Sequence, residues 1–333
     1  MELNNRRQGD DKKTKPPFDL PRKTALASLL IILTLYSAGT IHEIWNGEDY
    51  LDWNRERHAI EEFNLSYVTD HPAAPHLRTL IPKLSIELFQ NQKVFAFSIS
   101  VALVWLSYLM GKQVSGRYLG GVLSSLILST SNFYKLFDTS AVYDYSWIIL
   151  FMGALYLVGT RWKISIILFV VSLFCKPLTL VFLPTLLFWL YKSELSKGIK
   201  WKYLSIILGL GVSFFIVSQY SGYVAQSGIS IDGFIHGAQS WWWFLISDFW
   251  ITIMLPVMMV ATGALITKKT PWAAQVFVGL INLAFYGAFT EGLVSAFIAN
   301  EAYRYIPLLV IFSISFGVFF RVKRTVHIKE IKN

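Results

Sequence analysis

Charge is scarce in this chain, and cysteine scarcer still. Asp, Glu, Lys and Arg make up 15% of its 333 residues, well below the roughly 25% of an ordinary soluble domain. That shortfall leaves no room for a sizeable soluble domain. A single cysteine, Cys175, excludes an intramolecular disulfide and any multi-cysteine metal site. It sits in an apolar run, where a buried, inert thiol is expected. No P-loop, serine-hydrolase elbow, zinc-protease helix or dinucleotide fingerprint occurs. No internal repeat of solenoid length stands out either. What the chain has in abundance is apolar surface: 54% of it is hydrophobic and 16% aromatic, with a mean hydropathy of +0.47. Many of the apolar runs approach the roughly 20 residues needed to cross a bilayer.

The composition predicts an all-α polytopic membrane protein with about ten transmembrane helices. They are expected near 24–41, 94–111, 119–134, 140–159, 164–175, 178–191, 203–220, 248–266, 272–290 and 305–320. Residues 1–23 form a polar, basic tail with no clear cleavage site, so the first span is expected to stay uncleaved. Residues 24–320 form the transmembrane domain, with an outer loop over 42–93, and residues 321–333 form a second basic tail.

Orientation follows from charge. With the N-terminus cytoplasmic and the spans alternating, 22 of the 30 Lys and Arg fall inside, with only 6 of the 21 acids. Every inside loop is then basic, as positively charged cytoplasmic loops require. Both termini are therefore expected in the cytoplasm of a cell (inner) membrane, with the acidic face outside. The net charge of +9 is an orientation signal and an attraction to anionic lipid, and nothing in it calls for nucleic acid.

The acids of the outer face are unevenly spread. "IHEIWNGEDYLDWNRERHAIEE", Ile41 to Glu62, follows directly on the first span and places Glu43, Glu48, Asp49 and Asp52 at its exit. A helical reading of "EDYLDWNRERHAIEEF" sets Tyr50, Trp53, Arg57 and Ile60 on one face, so an amphipathic surface helix is expected. Other ionisable residues share this side: Asp70, His71, His76, Arg78, Asp138, Asp144, Lys176, His236, Asp248, Glu291, Glu301 and Arg304. Charges at membrane depth cost about 2.5–3.5 kcal/mol each on insertion scales, so residues kept there need partners or a wet cavity. A shared outward-facing cavity accounts for all of them.

Plainer roles stand beside the functional ones. Lys176 and Arg304 can snorkel to the interface, and Arg304 can pair with Glu301. Asp144 can cap the helix it precedes. His71 and His76 with Asp70 match no strong metal-ligand spacing. Trp241 to Trp243 fit an interfacial belt.

The order of motifs resembles the polytopic glycosyltransferases of the GT-C superfamily, the branch of protein O-mannosyltransferases and aminoarabinose transferases. "GEDY" is similar to their acidic pair after span 1. "DHPAAPHLRTLIPKL" is similar to an "HPP-L" element leading towards span 2. "NFYKLFDTSAVYDYSW" brings Asp144 to the start of a helix. "FCKPLTLVFLP" looks like their "TK-P" turn, with Cys175 where Thr is usual, and "YRYIPLL" like a late "RY-P" element. The resemblance is carried mainly by residues up to about 190. These enzymes usually carry a longer C-terminal part, so acceptor recognition transfers least.

The resemblance implies a sugar donor on a polyprenyl phosphate, inversion at the anomeric carbon and catalysis on the periplasmic side. It implies a first-loop carboxylate as general base, Asp49 with Glu48 its rival. It implies Lys176 and Arg304 on the donor phosphate, and Asp144, His71 and Arg78 orienting sugar or acceptor. The acceptor is a glycan, lipid or protein. The resemblance fixes no cofactor; some relatives hold a divalent metal at such carboxylates, and a divalent metal stays open here. The other classes open to this chain are an envelope glycan polymerase or ligase, a lipid or glycan transporter, and a non-catalytic subunit. A transporter should show internal repeats and polar access from both sides, and a polymerase or ligase more outer arginine.

Overall fold

The computed structural model describes residues 19–48, 53–63, 76–220 and 306–317. All regular structure among them is helical. The first helix, α1, runs Arg22–Thr40 and continues as a 3-10 turn over Ile41–Trp45. Then come α2 (Trp53–Glu62), α3 (His76–Phe89), α4 (Val94–Ser115), α5 (Tyr118–Thr130) and the short α6 (Asn132–Lys135). After an irregular connection follow α7 (Ser146–Leu157), α8 (Trp162–Cys175), a 3-10 turn (Pro177–Phe182), α9 (Leu183–Lys192) and α10 (Lys197–Tyr220). The far end of the described chain returns as α11 (Ile306–Phe316).

Among the described residues two segments, Arg22–Trp45 and Val94–Ser115, are long and apolar enough to cross a membrane. The expected spans near 24–41, 94–111, 164–175, 203–220 and 305–320 each correspond to a helix. Those at 248–266 and 272–290 lie outside the described residues. Three expected spans differ. The stretch 119–134 is broken at Ser131, which ends α5 in an extended conformation and caps α6 through its side chain. Helix α7 starts at Ser146 rather than 140, because the polar groups of 138–141 bond elsewhere. The stretch 178–191 begins as a 3-10 turn, since Pro177 has no N–H to continue α8.

The expected amphipathic helix is present as α2, with Ile60 buried and Trp53 packed on the core. Arg57 was expected on that same face. Instead it points to solvent and pairs with Glu61 at 2.7 Å, as an exposed i,i+4 pair does. Helix α3 was not anticipated: its internal Pro82 and the preceding "HPAAP" read as loop.

The core is layered around α4. It lies against α5, α7, α1 and α11, while α7 packs on α8, and α8 meets both α3 and α10. The α4–α5 pair turns at Gly116, whose φ of 72° is the left-handed cap that glycine adopts without strain. Small residues then let the two backbones approach. A Cβ on Gly121 would lie 2.6 Å from the Tyr108 carbonyl oxygen, too close for any rotamer change to relieve. Gly121→Ala should therefore destabilise the bundle by about 1–3 kcal/mol, seen as a lowered unfolding midpoint in detergent. An unchanged midpoint would show that the helices part at no cost. Apolar side chains on the opposite faces stay uncovered, among them Leu30, Ile31 and Leu35 of α1 and Ile206, Leu208 and Val212 of α10.

Candidate functional site

The irregular connection between α6 and α7, residues 136–145, organises the polar end of the bundle. Its residues 138–141 reach back to the exit of α1. Tyr36 at the end of α1 donates its hydroxyl to Asp138 Oδ2 at 2.6 Å. Thr139 Oγ1 donates to Glu43 Oε2 at 3.2 Å. Ser140 Oγ donates to Glu48 Oε1 at 3.0 Å, and the amide of Ala141 to Glu48 Oε2, also at 3.0 Å. The carboxylates after span 1 are thus tied in register to consecutive residues of one loop.

A second layer holds the same turn from beneath. Asn91 Nδ2 donates to the Ile44 carbonyl at 2.9 Å. The buried ammonium of Lys93 donates to the carbonyls of Gly47 at 2.9 Å and Glu43 at 3.4 Å.

Asp138 is almost wholly buried, at 1% exposure, and its Oδ1 has no hydrogen-bond partner among the described residues. Burial pushes its carboxyl up to about 7. The Tyr36 hydroxyl opposes that rise, Glu43 adds to it and Lys135 opposes it. The local hydrogen-bond chain agrees with a bound proton. Ser100 Oγ donates to the Phe97 carbonyl at 2.7 Å, and Tyr36 Oη lies 3.1 Å from Ser100 Oγ. Tyr36 has one proton to give. It goes to the ionised Asp138 carboxylate; when Asp138 holds a proton, Asp138 becomes the donor and Tyr36 turns its hydrogen to Ser100 Oγ, which donates to Phe97.

Six residues beyond Asp138 on the same connection, Asp144 belongs to a different cluster. Its Oδ1 accepts the Ser146 amide at 2.7 Å, so it does cap the start of α7. It also lies within electrostatic reach of Arg78, from α3, and Lys176, at the end of α8. Lys176 Nζ stands 5.7 Å from the centre of the Trp147 ring, a cation–π arrangement. The indole Nε1 of Trp147 is buried with no acceptor among the described residues. Three peptide units separate Ala141 from Asp144, so their Cα atoms are at most about 11 Å apart. The Glu48 clasp and the Arg78–Asp144–Lys176 cluster are therefore neighbours.

Of the site residues expected from the sequence, Glu48, Arg78, Asp144 and Lys176 fall within this region. Asp49, His71 and Arg304 lie outside the described residues. His76 packs its ring on Phe63, centroids 6.3 Å apart. Among the described residues no group of three or more His, Cys, Asp or Glu is arranged to hold a metal ion. Both Glu48 oxygens accept hydrogen bonds, one from Ser140 and one from Ala141. Sequence reasoning overlooked Tyr36, Asn91, Lys93 and Ser140. The one available signal was Lys93 itself, a cation directly before an apolar helix.

Comparison with protein families, with curated proteins and with solved structures finds no match for this chain.

Proposed function

We propose that the chain is a multi-pass membrane glycosyltransferase, GT-C-like in its roughly ten-span plan, that moves a sugar from a polyprenyl-phosphate donor to an acceptor on the outer face. The observation that carries this reading is the loop of residues 139–141, which holds the carboxylates of Glu43 and Glu48 and leads three residues on to the buried Asp144, with Lys176 over the nearby Trp147 ring. Arg78 and Lys176 both lie within electrostatic reach of Asp144, and cations in such a place can serve a phosphate. The uncovered apolar faces of α1 and α10 support lipid as their surroundings, and exposed Trp45 and Trp201 near their ends suit a headgroup belt.

In this reading the acceptor hydroxyl attacks the anomeric carbon while a first-loop carboxylate takes its proton. The bond from that carbon to the phosphate oxygen breaks on the opposite face, giving inversion. The lipid phosphate leaves with the electron pair and is met by Lys176 and Arg304. Asp144, Arg78 and His71 orient the sugar or acceptor. Glu48 holds the loop through both oxygens, and Asp49, the next residue, is the preferred base with Glu48 its rival.

The test is a mass-spectrometric profile of envelope glycans and lipid-linked sugars in cells with the gene deleted, restored, or restored as Asp49→Asn. Deletion should remove one sugar and accumulate its lipid-phosphate donor, and Asp49→Asn at normal abundance should fail to restore it. Full restoration would remove Asp49 as the base. Restoration by both Asp49→Asn and Glu48→Gln would favour transport or a scaffold role.

A further inference from the structure

Lys93 presents a question that the proposed chemistry does not answer. It is 6% exposed, yet it makes no ion pair among the described residues. Its ammonium group is turned towards two main-chain carbonyls of the acidic turn, those of Glu43 and Gly47. Holding a backbone turn does not require a charge. Asn91, two residues earlier, does so with a neutral amide on Ile44, and its own Oδ1 accepts the Lys93 amide at 2.8 Å. Burying a cation is expensive unless negative charge is close by to repay it. The charge available here is that of the turn itself, which bears Glu43 and Glu48 within six residues.

The turn is thus gripped from two sides. Ser140 and Ala141 fix the Glu48 carboxylate from above, and Lys93 fixes the carbonyl directly before Glu48 from below. Helix α4 starts at the residue after Lys93, so the cation stands on a rigid element rather than on a loop. We propose that Lys93 is a positioning residue: it sets the backbone and the local field of the first-loop carboxylates, and through them the proton transfer. The proposal rests on the transferase reading above.

The experiment uses the full-length protein in lipid nanodiscs and, as donor, the lipid-phosphate sugar extracted from deletion cells. Lys93→Gln is compared with Lys93→Arg, Glu48→Gln and Asp49→Asn. Lys93→Gln should lower kcat about 10- to 100-fold, the effect of displacing a reacting group by about an ångström, with KM nearly unchanged. The ascending limb of the pH–rate profile should move to higher pH, because a positive charge beside the carboxylates is gone. Lys93→Arg should recover much of the rate. Amide exchange over 41–48 should rise in Lys93→Gln. If exchange rises while kcat and the pH limb stay put, Lys93 is purely structural and the proposal is overturned. If Lys93→Gln does not fold, Lys93→Arg decides: with the charge kept and the reach changed, kcat should fall several-fold while the pH limb stays in place, and an unchanged kcat overturns the positioning role. If neither Glu48→Gln nor Asp49→Asn slows transfer, the transferase reading and this inference fall together. If either slows it and Lys93→Gln does not, the inference alone falls.

Discussion

Replacing Lys176 with glutamine should slow sugar transfer about 100- to 1,000-fold, the usual consequence of removing one preorganised stabiliser of developing negative charge. Lys176 closes α8 in an extended conformation, φ −156° and ψ 111°, and Pro177 prevents the helix from absorbing it. Its position is set by the backbone, and the Trp147 ring lies under its head group. Glutamine keeps hydrogen-bonding ability but loses the charge and is one atom shorter, so the loss reads mainly the charge with a smaller part from reach. Lys176→Arg should retain part of the rate, because a guanidinium still reaches phosphate with a different geometry. A lysine that merely snorkels to the headgroups would behave otherwise, and Lys176→Gln would then transfer within twofold of the parent. The rate with the extracted lipid donor, normalised to folded protein, separates the two.

The second large effect concerns Asp138 and pH. Its carboxyl is raised to about 7 in the folded protein from an ordinary value of 3.8. The folded state therefore holds the proton more tightly than the unfolded one. The stability this contributes is fully present below about pH 4 and is lost as pH rises through 7. The span corresponds to roughly 4 kcal/mol, large against the 5–15 kcal/mol, or thereabouts, of a typical domain. Unfolding midpoints in detergent should fall between pH 5 and pH 8, and Asp138→Asn, neutral throughout, should flatten that fall. Tyr36→Phe should steepen the loss at high pH, since it removes the 2.6 Å bond that supports the ionised form. Parallel curves for the parent and Asp138→Asn would show that Asp138 ionises freely.

How far this was legible from sequence depends on the distance over which each feature is determined. Helices α1 and α4 are announced by their own apolar runs, and Gly116 marks where α4 stops. Asp144 is flagged by local rules too, since an acid before an apolar run caps it. Helix α3 escaped because prolines argue locally for a loop, whereas its packing on α2 and α8 outweighs them. The start of α7 escaped for the opposite reason. "TSAV" is apolar enough to extend a span, but Thr139 and Ser140 are committed to Glu43 and Glu48, more than 90 residues away in sequence. Lys93 looks like any outer lysine until the turn it supports is seen. That Arg78 and Lys176 both come within electrostatic reach of Asp144 follows from the α3–α8 contact, which no spacing in the chain encodes.

Helix α11 has one more consequence, for biogenesis. It lies against α4 and α5, and a Cβ on Gly317, just past its end, would stand 3.1 Å from the Gly111 carbonyl oxygen. Its core face carries Leu309, Val310 and Phe312, all fully buried. Yet 85 residues, 221–305, separate it from the end of α10. At about 5–20 residues per second, the ribosome needs roughly 4–17 seconds to cross that interval. During this time the flank of α4 and α5 that α11 will cover must be lined by lipid or by the insertion machinery. A nascent chain interrupted before residue 306 carries an open seam that quality-control proteases can recognise. Until residue 306 is made, that flank of α4 and α5 lacks the cover that α11 supplies.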